Sequence, residues 1–207
     1  FFFFLYVNDY QNQSILLMNN DHFPLDKELT DFLQVKNLLA LQQPVSITAD
    51  AFERISKCRK YLEEKMDSSD ALFYGINTGF GFLQHVQIDK SQLQELQRNL
   101  IKSHACGMGE EVPADIVKLM IAFKIKSLSY GYSGVQTATV ERLVDMYNND
   151  VLPVIYTQGS LGASGDLAPL SHLSLPLIGL GEVYHGGIKM PAADALKKFD
   201  WKPIELK

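Results

Sequence analysis

The chain has 207 residues, 46% apolar and 21% charged, enough for a sizeable core in one or two domains. Its formal net charge of −5 gives neither nucleic acid nor an anionic membrane an electrostatic reason to bind. The only cysteines, Cys58 and Cys106, lie far apart; they suggest no disulfide framework and no zinc site, and they fit a reducing cytoplasm. At the N-terminus, Phe1 to Val7 is apolar but lacks the basic flank and small-residue cleavage site of a signal peptide. An opening on four phenylalanines without Met reads as an incomplete or misjoined frame, and residues 1–20 as an atypical extension outside the fold.

Most of the chain beyond residue 20 reads as helix. Thr48 or Asp50 is placed to cap a helix running to about Met66, with Phe52, Ile55 and Leu62 on one face. Asp89 and Gln92 resemble a capping box ahead of Leu93, Leu96, Leu100 and Ile101 at helical spacing. Pro113 suits a first helical turn, Ile116, Leu119, Phe123 and Leu128 form the expected buried stripe, and Gly131 is the stop. Another helix is expected from about Gln136 to Asn148, ending before Pro153. Asp166 is placed to cap a further helix that Pro176 would kink. The apolar stretch from Leu167 to Leu180 is too short and too interrupted to span a bilayer. Strand signal is confined to the C-terminal part, where Glu182 to His185 and Ile188 to Met190 flank the two-residue turn Gly186-Gly187. The expected class is mainly α with a small β-hairpin, broken by irregular Gly-rich loops at 74–83, 131–134 and 157–166.

The last of these loops carries the strongest chemical signal. It reads Gly159-Ser160-Leu161-Gly162-Ala163-Ser164-Gly165-Asp166-Leu167-Ala168-Pro169-Leu170. Ala163 offers an unhindered carbonyl, Gly165 an amide nitrogen free of a Cβ, and Ser164 a hydroxyl able to leave as water. Attack of the Gly165 nitrogen on the Ala163 carbonyl, with loss of two waters, yields a five-membered ring bearing an exocyclic methylene. Such a carbon electrophile is otherwise missing from side chains, which are nucleophiles, acids or bases. Other uses of the loop compete with this one. A phosphate-binding loop needs Lys and Ser/Thr after its last Gly, where this chain has Asp166 and Leu167. A nucleophile elbow needs Gly-x-Ser-x-Gly, which Ser164 lacks. Close packing by small residues is the bland alternative, and the tripeptide alone does not decide between them.

Two further clusters matter. In Tyr74-Gly75-Ile76-Asn77-Thr78-Gly79-Phe80-Gly81 the three glycines oppose regular structure, so Tyr74 is either a packed phenol or a proton acceptor in a shaped loop. In Ser103-His104-Ala105-Cys106-Gly107, His104 is either a cation at a helix C-terminus or a polar reader of substrate. The remaining histidines show no metal-ligand spacing with it, so no metal is expected.

In register, 30 and 90 residues after Tyr74 for His104 and Ser164, the three clusters resemble the aromatic amino acid ammonia-lyase family. The similarity runs from about Asp50 to Lys207, and takes residues 21–207 as the N-terminal part of an ammonia-lyase-like domain. The resemblance implies that Ala163, Ser164 and Gly165 cyclise autocatalytically to 4-methylidene-imidazol-5-one, with Asp166 assisting and no external cofactor. It implies that Tyr74 removes the substrate's β-proton, that His104 contacts the substrate side chain and that Gly81 lets substrate approach the loop backbone. The Ser-His-Ala setting is closer to histidine-specific members than the His-Leu pair of tyrosine-specific ones. Non-oxidative deamination of histidine to urocanate is therefore expected, in a cytoplasmic homotetramer acting on a free amino acid. A tyrosine or phenylalanine ammonia-lyase or aminomutase with the same electrophile is the alternative, and a non-catalytic truncated product another. Family members are more than twice this length, so the chain is expected to be an N-terminal fragment lacking most of the helical bundle and the groups that hold the substrate carboxylate, and to be inactive alone. Tyr130 also departs from the basic residue that many histidine-specific members carry.

Overall fold

A computed structural model describes residues 22–27, 29–69 and 71–206. The atypical segment 1–20 lies outside the described residues. Seven α-helices and seven short strands alternate among the described residues, so the class is mainly α, as expected. Strand β1 (Phe23–Pro24) pairs in parallel with β2 (Val45–Ser46), on either side of α1 (Phe32–Leu41). A capping box starts α1: Asp31 accepts from the Gln34 amide at 2.9 Å while the Gln34 side chain accepts from the Asp31 amide.

Helix α2 (Ala49–Ser68) is capped by Thr48, whose hydroxyl accepts from the Ala51 amide at 3.3 Å. That hydroxyl in turn donates to Asp26 at 2.6 Å, joining the cap to the turn after β1. Asp89 does not complete the expected box. Its carboxylate accepts from the Ser91 amide at 2.8 Å and starts a single 3-10 turn, and α3 (Leu93–His104) follows without a side-chain cap.

Helix α4 (Ala114–Ser129) starts just after Pro113, which is its N-cap residue rather than part of the first turn, and the expected stripe is corrected. Val117, Ile121, Ile125 and Leu128 are buried, whereas Ile116 and Phe123 are exposed. Both faces of this helix are apolar, so periodicity had two solutions, and packing against α2 and α5 (Thr137–Asn148) selected one. Together with Ile55, Val140, Leu143 and Met146 these side chains form the centre of the core. Each fully buried aliphatic side chain contributes roughly 1.5–3 kcal/mol relative to exposure.

Strands are not confined to the C-terminal part, as the sequence suggested. Besides β1 and β2, β3 (Met108–Glu111) pairs antiparallel with β5 (Tyr156–Gln158). Strand β4 (Leu152–Pro153) adds to the hairpin of β6 (Glu182–His185) and β7 (Ile188–Pro191), giving the order β4-β6-β7. Gly186 and Gly187 make the hairpin turn, both at positive φ. The expected helix after the reactive loop is α6 (Leu167–Ser174); it tightens into a 3-10 turn, Leu175–Ile178, at Pro176. Helix α7 (Ala192–Lys198) then packs on the hairpin.

Candidate active site

Helices α3 and α6 pack against each other and carry the candidate residues at or beyond their ends. His104 is the last residue of α3. Its Nδ1 lies 2.9 Å from the Leu100 carbonyl oxygen and 3.1 Å from Ser103 Oγ. A carbonyl only accepts, so Nδ1 carries the hydrogen in this contact. The half-buried imidazole is thus held in one orientation.

Beyond His104 the chain turns through Ala105 and the exposed Cys106 to Gly107. The Gly107 N–H donates to His172 Nε2 at 2.9 Å, joining this segment to the last turn of α6. Gly159, which opens the reactive loop, packs on the same residue: a Cβ at 159 would stand 3.1 Å from Gly107 Cα.

Within the loop, Gly162–Ser164 forms one 3-10 turn that ends at Gly165, whose φ is +82° and whose N–H donates to the Gly162 carbonyl at 3.3 Å. Ala163 and Gly165 are exposed, and apart from the adjoining residues no described atom lies within 4 Å of where a Cβ would stand at Gly162 or Gly165. Asp166 occupies the N-cap position of α6, but the expected cap does not form. Its backbone is left-handed, φ +59°, and its carboxylate accepts from Ser160 Oγ instead. Ser160 and Asp166 therefore clasp the loop across the tripeptide.

The Tyr74 loop is shaped by a buried amide. Asn77 Oδ1 accepts from the Phe73 N–H at 2.7 Å, and Nδ2 donates to the Ala71 carbonyl at 2.9 Å. Buried Thr78 donates its hydroxyl to the Gly79 carbonyl. Gln97, midway along α3, donates to the Gly75 carbonyl at 3.4 Å and ties the loop to that helix. Tyr74 is 63% exposed, edge-on to Phe80 at 6.0 Å, and its hydroxyl oxygen accepts from the Gly81 N–H at 3.4 Å. Gly81 sits at φ +56° at the start of a short 3-10 turn.

Helix α3 is therefore the bar that connects the three clusters: the Tyr74 loop through Gln97, His104 at its end, and the reactive loop through Gly107. No hydrogen bond joins Tyr74 or Gly81 to Ala163, Gly165 or Asp166 among the described residues. A cavity of about 560 Å³ beside the Tyr74 loop is lined by Ile76, Leu93, Ile101, Leu143 and Leu173 among others, and by none of the candidate residues. Its mostly aliphatic walls make it a gap between helices rather than the chemical centre. Sequence reasoning left three contributors without a role. Asn77 lay inside a matched motif, Ser160 inside the reactive loop, and His172 showed no local signal because its partner is 65 residues away.

A profile of the aromatic amino acid lyase family matches residues 29–207, and the chain belongs to that family. It is 47% identical over 182 residues to the histidine ammonia-lyase of Deinococcus radiodurans, a match covering 88% of this chain and 34% of that protein. Among solved structures, the tyrosine aminomutase from Streptomyces globisporus superposes with a TM-score of 0.82 at 32% identity, covering 90% of this chain and 35% of that one. The histidine ammonia-lyase from Trypanosoma cruzi superposes with a TM-score of 0.74 at 32% identity, covering 83% and 34%. The chain spans about a third of the length of the curated relatives it matches.

Proposed function

We propose that this chain supplies the electrophile-bearing part of a carbon-nitrogen lyase that converts L-histidine to urocanate and ammonia. The observation that carries this is the Ala163-Ser164-Gly165 turn at the foot of α6, in a chain that matches histidine ammonia-lyases at 41% to 47% identity. The turn fits a self-formed 4-methylidene-imidazol-5-one. Donor nitrogen and acceptor carbonyl belong to one tight bend, Gly165 is already at positive φ, and open space surrounds it. In closing, the Gly165 nitrogen bonds to the Ala163 carbonyl carbon, and that oxygen leaves as water with the Gly165 and Ser164 amide hydrogens. Ser164 loses its hydroxyl and α-hydrogen as a second water. No external cofactor is required. Asp166, held by Ser160, assists by keeping the bend closed.

Once formed, the ring supplies an electrophilic carbon that takes up the substrate's α-amine and makes it a leaving group. The chain's own groups do the rest. The unpaired amides at the N-terminus of α6 place the positive end of its dipole beside the tripeptide. Tyr74 removes the β-proton, and Gly81 lets substrate lie close to the backbone. His104, its ring oriented by the Leu100 contact, uses Nε2 for a hydrogen bond with the substrate's imidazole. A β-hydrogen next to imidazole is a very weak acid, so amine activation and base placement have to act together.

None of these residues carries a positive charge to hold a substrate carboxylate, so the 207 residues alone are proposed to be inactive. Residues 21–207 are accordingly one part of an ammonia-lyase domain in a cytoplasmic homotetramer, with a free amino acid as partner and neither nucleic acid nor membrane. No helix among the described residues is long and apolar enough to cross a membrane. The likeness to a tyrosine aminomutase supports a second reading with the same electrophile and a different substrate.

The test is made on the assembled enzyme. Ring absorbance, a mass deficit of two waters and urocanate formation from L-histidine are expected, and Ser164→Ala should abolish all three. Substantial deamination by that variant would refute the assignment. Conversion of L-tyrosine to its β-isomer, without urocanate from histidine, would favour the second reading.

A further inference from the structure

We propose that His172 is a positioning residue, which sets the separation between His104 and the electrophile-forming turn; the inference rests on the function proposed above. Three observations converge on its contact with Gly107. The Gly107 N–H donates to His172 Nε2 at 2.9 Å. The space around Gly107 is closed: a Cβ there would stand 3.0 Å from His172 Nε2 and 3.2 Å from Tyr156 Cβ, and Gly159 packs on its other side. The His172 ring is 9% exposed and meets the Tyr156 ring edge-on, with centroids 5.2 Å apart.

The consequence is one of leverage. Gly107 lies three residues after His104, which reads the substrate side chain. Gly159 opens the reactive loop, and His172 stands on the helix that closes it, six residues after Asp166. The recognition segment, the start of the loop and the helix that follows it therefore meet at one glycine. Nε2 of His172 is its hydrogen-bond acceptor.

An acceptor at that point requires an unprotonated Nε2. Burial holds the His172 imidazole below the usual histidine range and so keeps it neutral. An aliphatic residue would fill the space but leave the half-buried Gly107 N–H without its partner. A glutamine would carry an amide oxygen to a similar reach.

The experiment compares His172→Leu, His172→Gln and Gly107→Ala in the assembled enzyme. It reads ring absorbance, kcat and KM for L-histidine, and hydrogen exchange at the Gly107 amide. With His172→Leu, ring absorbance should persist and the Gly107 amide lose protection. kcat/KM should fall by roughly ten- to a hundredfold, mostly through KM, as for a displaced binding group. His172→Gln should restore most of the KM and the protection. Gly107→Ala, which pushes against an intact His172, should raise KM in the same direction. A purely structural role would lower thermal stability without moving KM, and an unchanged KM in His172→Leu overturns the proposal. So does a folded His172→Gln no better than His172→Leu. If His172→Leu fails to fold, Gly107→Ala decides: a normal KM there overturns it. Absence of both ring absorbance and urocanate formation in the unaltered enzyme would instead remove the proposed function on which this rests.

Discussion

Tyr74 illustrates how much a single residue owes to its loop. Its hydroxyl is oriented by the Gly81 amide, and the loop that presents it is braced by Asn77 and by Gln97 of α3. Replacing Tyr74 with Phe keeps the ring of the side chain and removes only the hydroxyl, the proton acceptor of the proposed mechanism. Ring absorbance should therefore survive, while elimination slows by about 10²- to 10⁴-fold, as for loss of a positioned base. An unchanged rate would remove Tyr74 from the mechanism. His172 supplies a pH prediction at the same scale. Its folded pKa is lowered by burial, so below an unfolded value of about 6.5 the unfolded chain takes up a proton that the folded chain does not. Its contribution to stability is full above that pH and is lost as pH falls towards the folded value. The melting temperature should decline as pH falls below about 6.5, and His172→Gln should flatten that part of the curve.

Among the elements, the hairpin of β6 and β7 shows local and long-range terms working together. Its turn was legible from Gly186-Gly187, but its tie to β3 was not. Lys189 and Tyr184 both donate to Glu111 at 2.8 Å, bridging elements more than seventy residues apart. The Lys189 ammonium, and then the Tyr184 hydroxyl, lower the Glu111 carboxyl below the usual range. Stabilisation from these bonds is therefore present above an unfolded value of about 4.3 and is lost as pH falls through the folded value. Acid unfolding should start at lower pH for a Glu111→Gln variant, measured relative to its own neutral-pH stability. Helix α4 teaches the complementary lesson. Its limits are readable from Pro113 and Gly131, yet its buried face is not, because apolar residues on more than one face leave no moment strong enough to choose. Asp166 failed as a cap for a related reason: in a left-handed conformation its carboxylate swings to Ser160 rather than to the first amides of α6.

At the scale of the whole molecule, one core joins α2, α4 and α5 to β4, β6 and α6. Leu143 is 1% exposed, so Leu143→Ala should cost about 2–5 kcal/mol in denaturant unfolding, through lost transfer energy and the cavity left behind. Phe82 is 99% exposed, and its replacement by Ala should stay within about 0.5 kcal/mol in the isolated chain. Equal effects at the two positions would mean that the core does not carry the fold. Exposed apolar side chains on Tyr132, Leu161, Phe123 and Ile116 add surface that assembly would cover under the proposed function.

Amino-acid order alone determined the helical class, most helix limits, the hairpin turn and the resemblance to the family that the profile match bears out. Each of these is written in neighbouring residues: apolar spacing at 3.6, caps, glycine punctuation, and a tripeptide whose proposed cyclisation would be covalent and local. Only the tertiary structure decided which face of α4 is buried, how β3 finds β5, and that His172 meets Gly107. Those outcomes depend on contacts between distant segments, where shape and hydrogen-bond complementarity choose among arrangements that look equivalent along the chain.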